Sequence, residues 1–551
     1  GTEPKTEPET AAGLYQAGSY TAAASGKVGE IKVTVTFSAD QIESVAVDEH
    51  QETEGIGDAA VEKIPERIVQ EQSLAVDTVS GATITSQAIL TAVADCVRQA
   101  GADPEELPGR LARTETAPLA DVETDVLVIG GGGAGLISAV FAVQEGVRVI
   151  VVEKQGTTGG NTAMARGIFG CSASSYQLEN EITATKEDHL ASYMASYPQG
   201  DEKMLRILAE HTGEAADWLM ENGAEFEGVN GPFTIVPKDH RLGVMVMKIC
   251  RELLAKYDVE IRTDTAGTEL LTDANGQVTG AKVETKDGAY NIYAKSVILA
   301  TGGFSANNEM IAEYNPLYEG RGFISTAGNT GDGQRMAEKI GAQLAYMDVM
   351  KCNPFLSYDS DTDSYTMIGT YMNPGIVVTP EGKRIGNEHA NYYFSPSIMA
   401  LDDKTVYLIY NEEVRGMLEA PDVSDRAYET IGELAKAQGI DEAGLKATLA
   451  DFAESAENKS DEFGRTVFQT NLSQGPYYAV ELTPAMQGTF GGVLIDEETR
   501  ALDAENQVIP GLYAAGECAG DGLYGANPVP TDCVFGKIAG INAAAFAKNS
   551  Q

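Results

Sequence analysis

Between residues 31 and 37 apolar and polar positions alternate, with Ile31, Val33, Val35 and Phe37 on one side, which predicts a strand with one buried face. Ile89, Leu90, Val93 and Val97 instead recur at helical spacing, so a small unit of strand and helix closes near residue 101. Beyond residue 120 the pattern changes. Residues 125–129 are a short apolar run, an Ala-rich stretch extends to Val143, and residues 148–152 are apolar again, the order of a strand, a helix and a second strand. Residues 277–283 alternate ahead of a further apolar strand at 296–300 and predict a β-rich insert.

The first of these apolar strands runs straight into Gly130-Gly-Gly132-Gly-Ala-Gly135, and the second ends in Glu153, 18 residues after the last glycine. Glycines allow a tight turn and close approach of a pyrophosphate, the following helix presents its N-terminus to the phosphate, and an acid at that distance meets ribose hydroxyls. The pattern predicts a dinucleotide site without choosing between NAD and FAD. A second run, Asp77-Thr-Val-Ser80-Gly81-Ala82-Thr83, offers a hydroxyl with no bulk beside it, which a phosphoester acceptor requires. Its last four residues, ahead of an apolar stretch, also read as a turn and helix N-cap.

Residues 18–100 resemble the small FMN-binding domain of respiratory flavoproteins: an alternating strand, then His50-Gln-Glu-Thr-Glu-Gly55-Ile-Gly57 like that family's flavin-facing loop, the Thr83 run and a closing helix. The resemblance implies FMN joined covalently to Thr83, with Asp77, Ser80, Gly81, His50 and Gly55 around it and a flavin transferase as loading partner. Residues 121–551 resemble the flavoprotein subunits of the fumarate reductase and succinate dehydrogenase superfamily. The resemblance rests on Gly159-Gly160-Asn161-Thr162 with Ala165-Arg-Gly167, Ala300-Thr301-Gly302-Gly-Phe304, Gly328-Asn-Thr-Gly-Asp332-Gly333 and Pro510-Gly-Leu-Tyr-Ala-Ala-Gly516-Glu517, in that order. It implies noncovalent FAD held by Gly130, Gly132, Gly135, Glu153, Lys154, Gly159, Gly160, Asn161, Thr162, Gly167, Thr301, Gly302, Asp332, Gly516 and Glu517.

The implied fold is α/β: a Rossmann-like FAD-binding domain with an inserted α+β cap domain, preceded by a small α+β FMN-binding domain. The divisions are a polar tether (1–13), the FMN-binding domain (14–101), a linker (102–120) whose prolines Pro104, Pro108 and Pro118 leave the two flavins free to move, the FAD-binding domain (121–347 and 486–551) and the substrate cap (348–485).

Fumarate reductases of this family hold two carboxylates with histidines and arginines and protonate the substrate with an arginine. Here Gly382-Lys-Arg384-Ile-Gly-Asn-Glu388 matches, but Tyr392 stands where the arginine is expected and Asn353 where a histidine precedes proline. Gln487-Gly488 replaces a histidine pair ahead of Thr489-Phe-Gly-Gly492, and Pro528 replaces the last arginine. Four ionisable positions are neutral, which argues against fumarate unless Arg384 or Arg166 supplies the charge. Tyr392, Tyr393 and Arg384 are the catalytic candidates. A tyrosine hydroxyl, with its ordinary pKa near 10, stays protonated at neutral pH and suits Tyr392 to proton donation; the competing reading is a packed aromatic wall. Asn353, Tyr371, Gln487, Tyr524 and Pro528 are the substrate-binding candidates. Tyr346, Tyr358, Tyr365, Phe355, Met347, Met350, Met367 and Met372 crowd the expected cap and suit a flat apolar or aromatic ligand.

Composition narrows the partners. Lys and Arg total 39 against 82 Asp and Glu, a net charge of −43, which argues against nucleic acid and anionic membranes. Six scattered cysteines without a Cys-x-x-Cys argue against haem attachment and iron–sulfur ligation, and no metal is expected. The Pro/Glu/Thr-rich start reads as the stalk of an exported, cell-surface protein, extracellular and open to lipid anchoring. The expected function is an exported ene-reductase of a C=C bond conjugated to a carbonyl in a largely neutral, aromatic or steroid-like molecule. Electrons from a membrane-side or extracellular flavoprotein or quinol donor pass from FMN to FAD to substrate. The alternatives are a fumarate-type reductase of unsaturated carboxylates, a desaturating flavin dehydrogenase and a non-catalytic electron-transfer flavoprotein.

Overall fold

The computed structural model of the chain describes residues 14–52, 57–79, 82–104, 107, 119–197, 199–360, 364–369, 375–402, 404–424, 426–523 and 528–550. The alternation of residues 31–37 becomes the middle strand of an antiparallel meander, β1 (Gly18–Ser25), β2 (Glu30–Phe37) and β3 (Ile42–Glu49). Period two puts Ile31, Val33, Val35 and Phe37 on one face, buried under helices α1 (Asp58–Glu71) and α2 (Thr83–Gln99). Ile64, Ile68, Ile89, Val93 and Val97 close over that face, while Leu90, one position round the helix, is only partly buried.

Past a short strand β4 (Val122–Glu123), the strand-helix-strand order is realised as β5 (Val126–Ile129), α3 (Gly133–Gln144) and β6 (Val149–Val152). They belong to a six-stranded sheet in the order Glu260–Arg262, β6, β5, Ser296–Leu299, Val508–Ala514, Arg500–Leu502, with every pair parallel except the last. Strands inside such a sheet are covered on both faces, so they read as continuous apolar runs. Every residue of β5, β6 and Ser296–Leu299 is buried. Helix Pro528–Asn549 packs along α3, so the end of the chain completes the unit that β5 begins. The alternating residues 277–283 fall within a four-stranded sheet of Ala266–Thr272, Val278–Thr285, Gly288–Tyr293 and β4.

A second apolar core surrounds the antiparallel strands Ile376–Val378, Tyr407–Asn411 and Tyr477–Glu481, with helices Ile431–Gln438 and Glu442–Asn458. Phe304, Met310 and Tyr318 belong to it as well, so residues on both sides of position 348 share one core. Met347, Met350 and Phe355, expected to line substrate space, are part of this packing, and Phe355 stacks 5.9 Å from Phe394. Among the described residues no helix is long and apolar enough to cross a membrane, and no cluster of His, Cys, Asp and Glu is arranged to hold a metal. All six cysteines are buried and unpaired.

Candidate active site

The turn from β5 into α3 brings backbone against backbone. A Cβ at Gly135 would lie 2.0 Å from the Gly130 carbonyl oxygen, and Gly130 itself sits at φ 112° with Ala300 O 2.2 Å from its Cβ position. Only glycine fits either place. Glu153 is fixed by two backbone donors, Gly131 N to Oε2 and Gln155 N to Oε1, both at 2.7 Å, and burial raises its pKa. Lys154 pairs with Asp332 at 2.6 Å and donates to Thr330. Gly159 bridges Gly132 as the chain enters helix Gly160–Ala163. From that helix Asn161 Nδ2 donates to Glu517 Oε2 at 3.0 Å, and the Thr162 hydroxyl donates to Asp532 Oδ2 at 2.8 Å while accepting from Gly133 N. Glu517 also accepts from Asn329 Nδ2 and from Thr489 N. Thr301 receives Gly333 N, Gly302 accepts from Gln334, and Gly167 and Gly516 take left-handed turns.

These residues fit FAD. The glycine turn leaves room for a pyrophosphate at the N-terminus of α3, Glu153 stands at the ribose position, and the Asn329 Oδ1 is buried with no hydrogen-bond partner among the described residues. The sequence motifs omit Asp532, and they contain Asn329 and Thr489 without assigning either a role. Asp532 is a buried carboxyl within this cluster, pushed up to about 7 by burial and by Glu517. Asp521 is likewise pushed up to about 7, with Asp532 and Asp201 nearby.

Two of the five substrate candidates, Asn353 and Gln487, meet where strand Met350–Asn353 pairs antiparallel with Ala485–Thr489. Lys351 lies opposite Gly488 and Cys352 opposite Met486, so the register slips by one and Gln487 is the extra residue of a bulge. The slip brings Gln487 Oε1 to 3.4 Å from the buried Asn353 Nδ2, and Asn353 Oδ1 accepts from Phe355 N at 2.9 Å. Tyr392, in the 3-10 helix Glu388–Phe394, is 7% exposed, and the Lys351 Nζ sits 5.0 Å from its ring centre. Thr489, two residues past Gln487, joins this group to Glu517 and the dinucleotide side.

Two of the three catalytic candidates stand elsewhere. Tyr393 turns outward, 46% exposed, with partial burial raising its pKa. Arg384 is held by Glu388 (2.9 and 2.6 Å) and Asp461 (2.8 Å) and lies over the rings of Phe452 and Phe463. Glu388, fully buried, also takes Arg465 at 3.1 Å and Val377 N. Arg384 therefore braces the turn that carries Tyr392 instead of presenting charge beside it. Pro528 opens helix Pro528–Asn549, and Tyr371 and Tyr524 lie outside the described residues.

Thr83 is the first residue of α2 and is exposed, while Ala82 occupies the cap position and makes no side-chain cap. Around it, Arg67 Nη1 donates to Asp77 O at 2.6 Å, Val79 N donates to the Ser86 hydroxyl, and Thr85 donates to Glu52. His50 is exposed; Gly55, Ser80 and Gly81 lie outside the described residues. From α1, Lys63 Nζ reaches across to Gly156 O (2.6 Å), Thr263 Oγ1 (3.0 Å) and Asp264 Oδ2 (3.3 Å), beside the turn that carries Glu153.

The FAD binding domain family matches residues 125–534, and the FMN-binding domain family matches residues 26–98. The chain is 31% identical to the urocanate reductase of Eggerthella lenta over 99% of its own length and 96% of that protein. It is 34% identical to a fumarate reductase (cytochrome) of Shewanella frigidimarina, over 77% of this chain and 78% of the other. The open conformation of a flavocytochrome c3 fumarate reductase superposes with a TM-score of 0.64 at 29% identity, covering 77% of this chain and 79% of that one. Fold and site define a two-flavin oxidoreductase with FAD and FMN as cofactors, acting on carbon–carbon double bonds. The chain belongs to the fumarate reductase and succinate dehydrogenase flavoprotein family, with an FMN-binding domain ahead of the FAD-binding domain.

Proposed function

We propose that this protein is an exported reductase of a C=C bond conjugated to a carbonyl, acting on a small, largely apolar or aromatic molecule less charged than a dicarboxylate. The observation that carries the reading is the neutral amide pair Asn353–Gln487, on a strand pair whose Lys351 faces the ring of the buried Tyr392, with Thr489, two residues past Gln487, bonded to Glu517. FAD, when bound, supplies hydride for the β-carbon. The chain's own groups do the rest: the Tyr392 hydroxyl protonates the α-carbon, and the amides of Asn353 and Gln487 donate to the oxygen on which enolate charge develops. Covalent FMN on Thr83, loaded by a flavin transferase, would bring electrons from a membrane-side or extracellular donor. A module built to receive such electrons supports reduction over desaturation.

A substrate screen with reduced viologen as donor tests this. Unsaturated acids, enones and steroids are offered beside fumarate; the expected result is turnover of aromatic or apolar substrates above that of fumarate. Fumarate as the fastest substrate would overturn the reading, and midpoint potentials of both flavins would expose a desaturating enzyme.

A further inference from the structure

We infer that the substrate carries a single carboxylate conjugated to its double bond, and that the Lys351 ammonium binds it. The inference rests on the reading of this site as one for conjugated C=C reduction. Lys351 is half-buried on the strand that also carries Asn353, and its stem passes Gly488, where a Cβ would come within 3.5 Å of the lysine Cδ. Its Nζ faces the Tyr392 ring at 5.0 Å. Among the described residues Lys351 makes no ion pair, although the chain has 82 acidic residues against 39 basic ones. Lys154 and Lys63, also partly buried, both find aspartates. Glu517, whose Oε1 lies 2.7 Å from the same Cβ position at Gly488, accepts from Thr489 N, Asn161 and Asn329.

An ammonium in such surroundings is a binding site for an anion that the described residues do not provide. It is a compact point charge without the planar fork that clamps carboxylates bidentately, so one lysine matches one carboxylate. In an α,β-unsaturated acid the carboxylate is one bond from the α-carbon. Binding it at Lys351 therefore presents that carbon to Tyr392, and the ammonium opposes the extra negative charge that hydride addition places on the carboxylate oxygens. Hydride and the tyrosine proton together saturate the bond; Lys351 exchanges neither. Arg321, whose Nε is buried without a hydrogen-bond partner among the described residues, stands near Cys352 on the same strand. Were it a second clamp, the site would prefer dicarboxylates.

The test uses the flavin-loaded full chain with reduced viologen and a panel in which each unsaturated monocarboxylate, cinnamate among them, is paired with its methyl ester, and fumarate is included. Wild-type protein should favour acids over esters and over fumarate. Lys351→Met should lower kcat/KM for the acids about ten-fold or more, with KM raised, lower it by a clearly smaller factor for the esters and keep FAD content and Tm, while Lys351→Arg recovers much of the loss. Binding of the saturated acids, read by the shift in FAD absorbance, should weaken in parallel in Lys351→Met. Equal loss on acids and esters, unchanged KM and binding, or fumarate as the preferred substrate would each overturn the role of Lys351. Esters and acids reduced equally well would sink the inference and leave the conjugated-bond reading standing. No turnover of any conjugated substrate would remove that reading, and the binding arm would still decide whether Lys351 holds a carboxylate.

Discussion

Asp532 is a carboxyl placed where a dinucleotide brings its own negative charge. Its folded pKa of about 7 lies above the roughly 3.9 of an unfolded aspartate, so between those values the native chain holds a proton that the unfolded chain lacks. Stability from this residue is present below about pH 4 and is lost as pH rises towards 7. Asp532→Asn, which keeps an oxygen for Thr162, should melt with the FAD-free wild type near pH 4 and above it near pH 8; equal melting at both pH values would remove the sign. Tyr392 is the other decisive side chain. Tyr392→Phe keeps the ring against Lys351 but deletes the proton, so turnover should fall about 10²-fold or more with KM little changed. Near-wild-type turnover would make Tyr392 a packed wall.

At the scale of elements, the Arg384–Glu388–Arg465 group is the brace to test. Glu388→Gln leaves two buried guanidiniums without their shared carboxylate and should cost about 3–5 kcal/mol in denaturant unfolding. A cost below about 1 kcal/mol would mean that the turn stands without them. At the start of α2, co-expression with a flavin transferase should add one FMN to the intact mass, and Thr83→Ala should abolish the adduct. Elements such as β2, β5, α3 and β6 were legible because burial writes itself into the order of residues: period two for one covered face, continuous apolar runs for two. The Asn353–Gln487 approach was not, because it depends on a register slip between strands more than 130 positions apart in the chain. Lys351 escaped for a related reason: attention to the Asn353-Pro motif passed over its same-face neighbour two residues earlier, the one signal that strand alternation offered. Arg384 was legible as a motif residue, but its partner Asp461 is remote in sequence, so its bracing role was not.

Across the whole molecule, the FMN-binding and FAD-binding units keep separate apolar cores, and Lys63 and Arg67 reach from one to the other through polar contacts. An attachment of that kind is sensitive to ions in a way that a shared core is not. Lys63→Glu should expand the molecule in small-angle scattering, and the paired change Lys63→Glu with Asp264→Lys should restore much of the compact form; an unchanged profile in the single variant would mean that other contacts hold the units together. The joint then acts as a swivel held where Lys63 and Arg67 meet Asp264. On the proposed reading, its release and re-engagement would set the tempo at which charge crosses from one cofactor to the next, so that salt in the medium would throttle throughput without touching the substrate site.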